Sequence, residues 1–305
     1  MKISELLKIK PELDIDLEST ISDSKPLNES LKLKYVELKE SDCSKKQLSL
    51  INKTFSIDAL SFASVELLGF KPFRPLNLTI LVKNYETNEE LYCEINNITV
   101  MGDPQLINFS GVTDESKRGN SILFSKGFDI SNRSVFGSSA GQGLTLDLYN
   151  SHESKIKVEI ILTGWEIKSE HLGQVIFTNT NKILFSKIKC AKNSVTKQIV
   201  QSGRYSALKS NYLQINSFNH NDKSLANLEI LDISVAKKSQ IYSLEEDNSL
   251  SSNFFSSLKQ VNFDVFGYSK SKELIITFKN TNDYDIENYI TILGEHANDD
   301  LIGQK

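Results

Sequence analysis

The sequence predicts an all-β chain: two tandem β-sandwiches behind a short N-terminal arm, with few helices. Three observations predict it. Residues 144–164 (LTLDLYNSHESKIKVEIILTG) lie without a gap on residues 274–294 (LIITFKNTNDYDIENYITILG), 130 positions later. Leu144, Asn150, Ile156, Ile160 and Gly164 meet Leu274, Asn280, Ile286, Ile290 and Gly294, and the apolar positions between them also agree. Each copy reads as strand, polar turn, strand and closing glycine, the pattern of a repeated all-β unit. The second observation is persistent two-residue alternation from about residue 64, giving about sixteen strand candidates spaced by turn signals. The third is the lack of regular long helices between strands, which argues against a parallel α/β architecture.

In chain order, residues 1–49 are read as an N-terminal arm, 50–168 as the first sandwich and 169–305 as the second. Residues 1–10 carry Ile3, Leu6 and Leu7 on one side of a short amphipathic helix edged by Lys2, Lys8 and Lys10, until Pro11 interrupts it. Residues 12–30 are acidic and serine-rich, as in an extended linker, and 31–35 alternate like a strand. The irregular apolar spacing of 46–62 suggests a helical turn before the first sheet. In LNLTILV, Leu76, Leu78, Ile80 and Val82 point one way. LYCEINNITV changes phase at Asn96-Asn97 and LEILDISV changes phase between Ile230 and Leu231, each as a β-bulge would. Further strands are expected at 121–130, 144–149, 156–165, 174–178, 182–190, 211–217, 261–266, 273–279 and 286–293. The best helix after the arm is 251–260, with Phe254, Phe255 and Leu258 on one face. Phe128-Asp129-Ile130 and Phe263-Asp264-Val265 precede the two repeated hairpins in the same order. The boundary between units is expected at 168–173, and the short connection predicts rigid packing of the halves.

Composition bounds the function. With 39% hydrophobic and 24% charged residues, 305 residues hold enough apolar material for two cores. A net charge of −4 with interspersed signs argues against a nucleic-acid clamp, which needs a basic face. Cys43, Cys93 and Cys190 are far apart and without CxxC spacing, so burial as small apolar groups is expected rather than disulfides or zinc. No run of about 18 apolar residues and no signal-peptide core is present in the sequence.

No catalytic signature emerges, and no cofactor or metal is expected. Gly137-Ser138-Ser139-Ala140-Gly141 matches the G-x-S-x-G pattern, but the chemistry requires a helix after the serine. The residues that follow enter a strand, so a glycine-rich loop is the expected structure. His152, His171, His220 and His296 are isolated, without metal-ligand spacing, and are expected in surface loops. Asp283, Asp285 and Glu287 alternate along a hairpin, as either a calcium-binding or a solvated acidic edge would. Trp165 is expected to cap the core or the seam between units. Lys2, Leu6, Leu7, Lys8 and Lys10 are candidates for contact with a membrane surface or with a neighbouring subunit.

Two tandem sandwiches, a short arm and no active site resemble the double jelly-roll major capsid proteins of tailless, membrane-containing icosahedral bacteriophages. The resemblance spans roughly residues 50–300 and rests on the hairpins at 144–164 and 274–294 and on the strand count. It implies two eight-stranded jelly rolls and a structural, non-enzymatic role. It also implies homotrimers that form pseudo-hexagonal capsomers, contacting neighbouring capsomers, penton and minor capsid proteins, and the internal lipid membrane. Residence in the virion after assembly in the host cytoplasm follows, with no direct sequence-specific nucleic-acid binding. The alternative is a viral spike, adhesin or carbohydrate-binding double sandwich with exposed aromatic clusters. A β-sandwich hydrolase would need paired carboxylates facing one cleft.

Overall fold

The computed structural model describes residues 48–104, 108–110, 118–131, 133–173, 182–202, 207–241, 249–269 and 271–304. The candidate arm contacts Lys2, Leu6, Leu7, Lys8 and Lys10 lie outside them, as do Cys43 and the strands expected at 31–35 and 174–178.

The first sandwich uses β1 (Ser49–Ile57), β2 (Phe62–Leu67), β3 (Phe73–Asn84), β4 (Glu94–Val100), β5 (Gly119–Asn120), β6 (Phe128–Asp129), β7 (Leu144–Tyr149) and β8 (Ile156–Glu166). The second uses β9 (Lys182–Cys190), β10 (Ser194–Val200), β11 (Ala207–Asn219), β12 (Glu229–Val235), β13 (Leu250–Ser251), β14 (Lys259–Gln260), β15 (Leu274–Asn280) and β16 (Ile286–Ala297). The sheet order is β1-β8-β3-β6 facing β2-β7-β4-β5 in the first, and β9-β16-β11-β14 facing β10-β15-β12-β13 in the second. Adding eight to each label converts one sandwich into the other. Antiparallel strands exchanged between two packed sheets in this order make a jelly roll, and the chain contains it twice.

Alternation explains the pairing of the sheets. Along β8 the even residues Ile156, Val158, Ile160 and Leu162 are buried while Lys157, Glu159, Ile161 and Thr163 are not. Each sandwich closes on its own apolar cluster, with Leu78, Ile95, Leu146 and Ile160 in one and Leu213, Ile233, Ile276 and Ile290 in the other. Both expected bulges are present: the β4–β7 register skips between Ile95 and Asn97, and the β12–β15 register between Ile230 and Asp232.

The repeat reaches into the turns. The Asn150 side-chain amide donates to the carbonyls of Asp58 at 2.9 Å and Ser154 at 2.8 Å, and its Oδ1 accepts from the backbone of His152 at 3.0 Å. Asn280 does the same to Ala191 at 3.1 Å and Tyr284 at 2.9 Å, accepting from Asn282 at 3.0 Å. Gly164 and Gly294 are the closing glycines of each unit. A Cβ there would stand 2.1 Å from the Arg74 carbonyl and 2.3 Å from that of Lys209, opposite bulges in β3 and β11.

Several expectations are corrected. The helical turn expected in 46–62 is strand β1, because Ile51, Phe55 and Ile57 face the core while Leu50, Asn52 and Thr54 face outward. The helix expected over 251–260 is one 3-10 turn, Ser252–Phe255, capped by the Ser251 hydroxyl and followed three residues later by β14. Phe255 is buried but Phe254 and Leu258 are exposed, so no single apolar face exists to extend it. The strand expected over 121–130 divides into a 3-10 turn, Ser121–Phe124, and the two-residue β6. Trp165 lies half-buried on the outer face of β8, opposite the core.

The Phe-Asp pairing of the two halves is also displaced. Phe128-Asp129 pairs with Leu78-Asn77, whereas the equivalent positions of β11, Leu213 and Tyr212, pair with Lys259 and Gln260. The true counterparts are Val135-Phe136-Gly137 and Val265-Phe266-Gly267, in gap-free 130-residue register with the hairpins. Phe136 exchanges backbone bonds with Phe73 at 2.8 and 3.0 Å, and Phe266 with Leu208 at 2.8 and 3.1 Å.

Candidate functional site: the seam between the sandwiches

The second sandwich presents the outer face of β9 and β16 to the β4–β5 side of the first. Alternation fixes which residues arrive there. Leu184, Ile188 and Cys190 point into their own core, so Ile183, Phe185, Lys187 and Lys189 point out. Ile183 and Phe185, with Leu293 of β16, are buried in the apolar cluster of the first sandwich. The Phe185 ring occupies the space a side chain at Gly119 would need, 2.5 Å from the position of its Cβ. Backbone pairing crosses the seam as well: residues 108–110 of the first half form a parallel ladder with Leu184, Phe185 and Ser186.

Beside this apolar contact lies an aromatic group of Tyr92, Phe218 and Tyr289, all buried. The Tyr92 and Phe218 rings are 4.3 Å apart, and the Tyr289 ring meets both edge-on at 5.9 and 6.0 Å. Such edge-on pairs add to simple burial. The Tyr289 hydroxyl donates to Glu94 Oε1 at 2.7 Å.

Glu94 has no exposed side-chain surface, and it is neutralised from both halves. Arg118 reaches Oε2 at 2.9 Å, and Lys187 from β9 reaches Oε1 at 2.8 Å. Lys187 also lies 3.3 Å from Glu287, which in turn meets Lys223 at 2.9 Å and His220 Nδ1 at 3.0 Å. Burial alone would raise the Glu287 carboxyl, but the ammonium groups of Lys187 and Lys223 and the His220 hydrogen bond hold it below its ordinary range. Burial, together with the two carboxylates, pushes the Tyr92 and Tyr289 phenols well above their ordinary value, so both remain neutral. The His152 ring is packed edge-on against Tyr92 and its Nε2 lies 2.8 Å from the Tyr92 carbonyl, which requires a proton on that nitrogen. Burial lowers its basicity.

This arrangement is suited to holding. Both buried carboxylates are saturated by cations and hydrogen bonds, so neither is free to act as a base. A buried charge of this kind tolerates loss of a partner poorly, which makes the joint directional and stiff.

The residues singled out from sequence fall elsewhere. Ser139 sits on an exposed turn whose Gly141 and Gly143 amides donate to Glu66 Oε1 at 2.8 Å each, and no nucleophile elbow forms. His152 and His171 are buried, contrary to the surface positions expected, His220 joins the seam, and His296 is exposed. Asp285 pairs with Lys189 at 2.9 Å and Glu287 with the seam cations, which leaves the acidic hairpin without a calcium-like ligand set. A cleft of about 310 Å³ is lined, among the described residues, by Lys237, Ser271, Glu273 and Ile275, of which Glu273 alone is a carboxylate. Cys93 and Cys190 are free and buried. Sequence reading missed the seam, because Glu94 and Tyr289 are 195 residues apart and no local spacing joins them.

No family model matches the sequence, and no curated protein is similar to it. Solved structures are similar in fold. The STIV MCP aligns with a TM-score of 0.42 at 7% identity, covering 82% of this chain and 97% of that one. A structure of Sulfolobus Turreted Icosahedral Virus gives 0.44 at 7% identity, covering 82% and 91%. The major capsid protein P2 from Bacteriophage PM2 gives 0.37 at 10% identity, covering 83% and 99%. The chain is a double jelly roll, and its fold is similar to that of viral major capsid proteins.

Proposed function

We propose that this protein is a viral major capsid protein whose homotrimers form pseudo-hexagonal capsomers tiling an icosahedral shell over an internal membrane. One observation carries the reading: the two sandwiches share one strand order and are locked side by side through a buried, ion-paired seam. A chain built as two like blocks supplies six similar blocks to a closed trimer, which matches the sixfold neighbourhood of a shell. On this reading residues 50–168 and 169–305 are the two building blocks. The arm, through Lys2, Leu6, Leu7, Lys8 and Lys10, reaches a neighbouring subunit or the lipid surface, and penton and minor capsid proteins meet the capsomer edges. Assembly takes place in the host cytoplasm, and the mature location is the virion. No catalytic step belongs to this role.

Size-exclusion chromatography with light scattering tests it. The expected species has three times the 34.4 kDa chain mass, with a hexagonal outline in negative-stain images. A chain that stays monomeric at high concentration across pH and salt argues against a capsomer.

A further inference from the structure

The two sandwiches share a frame of backbone hydrogen bonds where β4 and β12 end and β7 and β15 begin, but they fill it differently. In the first, the Met101 amide donates to the Gly143 carbonyl at 3.0 Å, and that of Gly137 to Gln142 at 2.7 Å. In the second, the Ala236 amide donates to the Glu273 carbonyl at 3.3 Å, and that of Gly267 to Lys272 at 2.7 Å. Pairing registers and the 130-residue offset set Gly102, Gly141 and Gly143 against Lys237, Ser271 and Glu273. Three glycines of one frame thus carry side chains in the other. Lys237 and Ser271 keep φ values of 68° and 74°, close to the 83° and 80° of Gly102 and Gly141. Non-glycine residues held in this left-handed region cluster at ligand-binding and active sites.

The first frame contains its own occupant. The Gly141 and Gly143 amides each donate to Glu66 Oε1 at 2.8 Å, so the loop cradles a carboxylate. Glu66 lies opposite Thr145 as Ile199 lies opposite Ile275, which makes Ile199 its counterpart. An isoleucine side chain has no acceptor to offer. In place of a filled frame, the second sandwich has the cleft of about 310 Å³ lined by Lys237, Ser271, Glu273 and Ile275. Glu273 is 8% exposed, and its buried Oε2 has no hydrogen-bond partner. A buried carboxylate oxygen without a donor is destabilising, and a ligand that supplies the donor relieves it.

We infer that this cleft binds a small zwitterion, an amino acid whose carboxylate enters where Glu66 lies in the first sandwich and whose ammonium meets Glu273. The Ser271 and Glu273 amides occupy the positions from which those of Gly141 and Gly143 hold Glu66, and the Lys237 ammonium adds positive charge at the rim. Glu273 repels a simple anion and Lys237 a simple cation, so one ligand must carry both charges. The volume lies at the lower end for ligand pockets, as suits a molecule of this class. The site stands apart from the capsomer reading, because none of its lining residues belongs to the seam.

Isothermal titration calorimetry on the full-length protein tests it, with glycine, β-alanine and γ-aminobutyrate as probes and butyrate and butylamine as singly charged controls. At least one amino acid is expected to bind with a dissociation constant about tenfold or more below those of both controls. Glu273→Gln keeps the side chain's size and is expected to weaken that binding about tenfold, with the preference over butyrate lost. Lys237→Ala weakens it too and removes the preference over butylamine. Glu66→Gln, in the filled frame of the first sandwich, leaves binding unchanged. Thermal unfolding of each variant checks that it folds. Amino acids that bind no more tightly than butyrate and butylamine overturn the inference. So does binding that Glu273→Gln and Lys237→Ala both leave intact in folded protein.

Discussion

Tyr289 Oη lies 2.7 Å from Glu94 Oε1, a hydrogen bond between residues 195 positions apart that ties the two jelly rolls together. Each partner is completely or almost completely buried. Hydrogen bonds to a charged group stabilise by about 1.5–3 kcal/mol. Tyr289→Phe keeps the ring contacts with Tyr92 and Phe218 and is expected to cost an amount in that range. Glu94→Ala removes the carboxylate that Arg118 and Lys187 share and leaves a cavity beside them, and a loss of about 3–5 kcal/mol is expected. Denaturant titration of the two variants reads the difference, and equal losses would contradict the buried network.

The seam should weaken in acid in two stages. His152 is less basic when folded, chiefly through burial, so the unfolded chain binds a proton that the folded chain refuses. Its contribution is complete above the unfolded value of about 6.5 and falls as pH drops below it. Glu287 has a depressed carboxyl, so its contribution is complete above about pH 4.3 and disappears as pH falls toward the folded value. Tm measured from pH 8 to pH 3 should therefore be flat, then decline, then decline more steeply. His152→Gln removes the upper stage and leaves the lower one. A Tm rising toward acid in the wild type would reverse the assigned signs.

Asn150 and Asn280 make matching sets of bonds to the end of the first strand and to the hairpin turn of their own unit. Their amides satisfy carbonyls that burial would otherwise leave without donors. Replacing either by Ala should cost about 2 kcal/mol, and by Asp more, since a carboxylate cannot donate to carbonyls. The two losses should add, because the sites share no partners. Urea unfolding of the single and double variants checks both points, and an Asp variant as stable as wild type would refute the donor role.

How far the sequence spoke depended on distance along the chain. Hairpins at constant offset, the phase slips beside Asn96 and Leu231, and the burial of Cys93 and Cys190 were all legible, since each is a local pattern that the pleat of a strand imposes. Val135-Phe136-Gly137 and Val265-Phe266-Gly267 were legible too, in the same frame, but the nearby Phe-Asp pairs drew the alignment elsewhere. Strand β1 is hard to read because Leu50 lies on its outer face and Lys53 interrupts the inner row of Ile51, Phe55 and Ile57, so the apolar pattern of this edge strand is irregular. The seam could not be read at all. Glu94, Lys187 and Glu287 look like ordinary surface charges within their own strands, and only tertiary packing makes them neighbours.

The two described thiols should be inert. Burial pushes Cys93 and Cys190 up to about 12, so at pH 8 the thiolate fraction is about one in ten thousand. In a Cys43→Ser background, an aromatic disulfide reagent should label neither until the chain unfolds, when both react. Rapid labelling of the folded protein would show that the cores open more readily than their packing implies.

Gly164 and Gly294 probe whether the two units obey the same geometry. Each stands opposite a bulge with a carbonyl closer than any Cβ could tolerate, that of Arg74 in one and of Lys209 in the other. Neither obstacle is a flexible side chain that can swing aside, so Ala must displace the backbone of β3 or β11. An expected loss of about 3 kcal/mol applies to each. Because β16 carries both Gly294 and the seam residue Tyr289, Gly294→Ala should further loosen Tyr289, five residues away on the same strand. Hydrogen exchange followed by mass spectrometry distinguishes the cases: Gly164→Ala should raise exchange in β3 and β8 alone, whereas Gly294→Ala should raise it in β11, β16 and the β4 segment around Glu94. Identical exchange maps for the two variants would mean that the joint does not transmit strain between the jelly rolls.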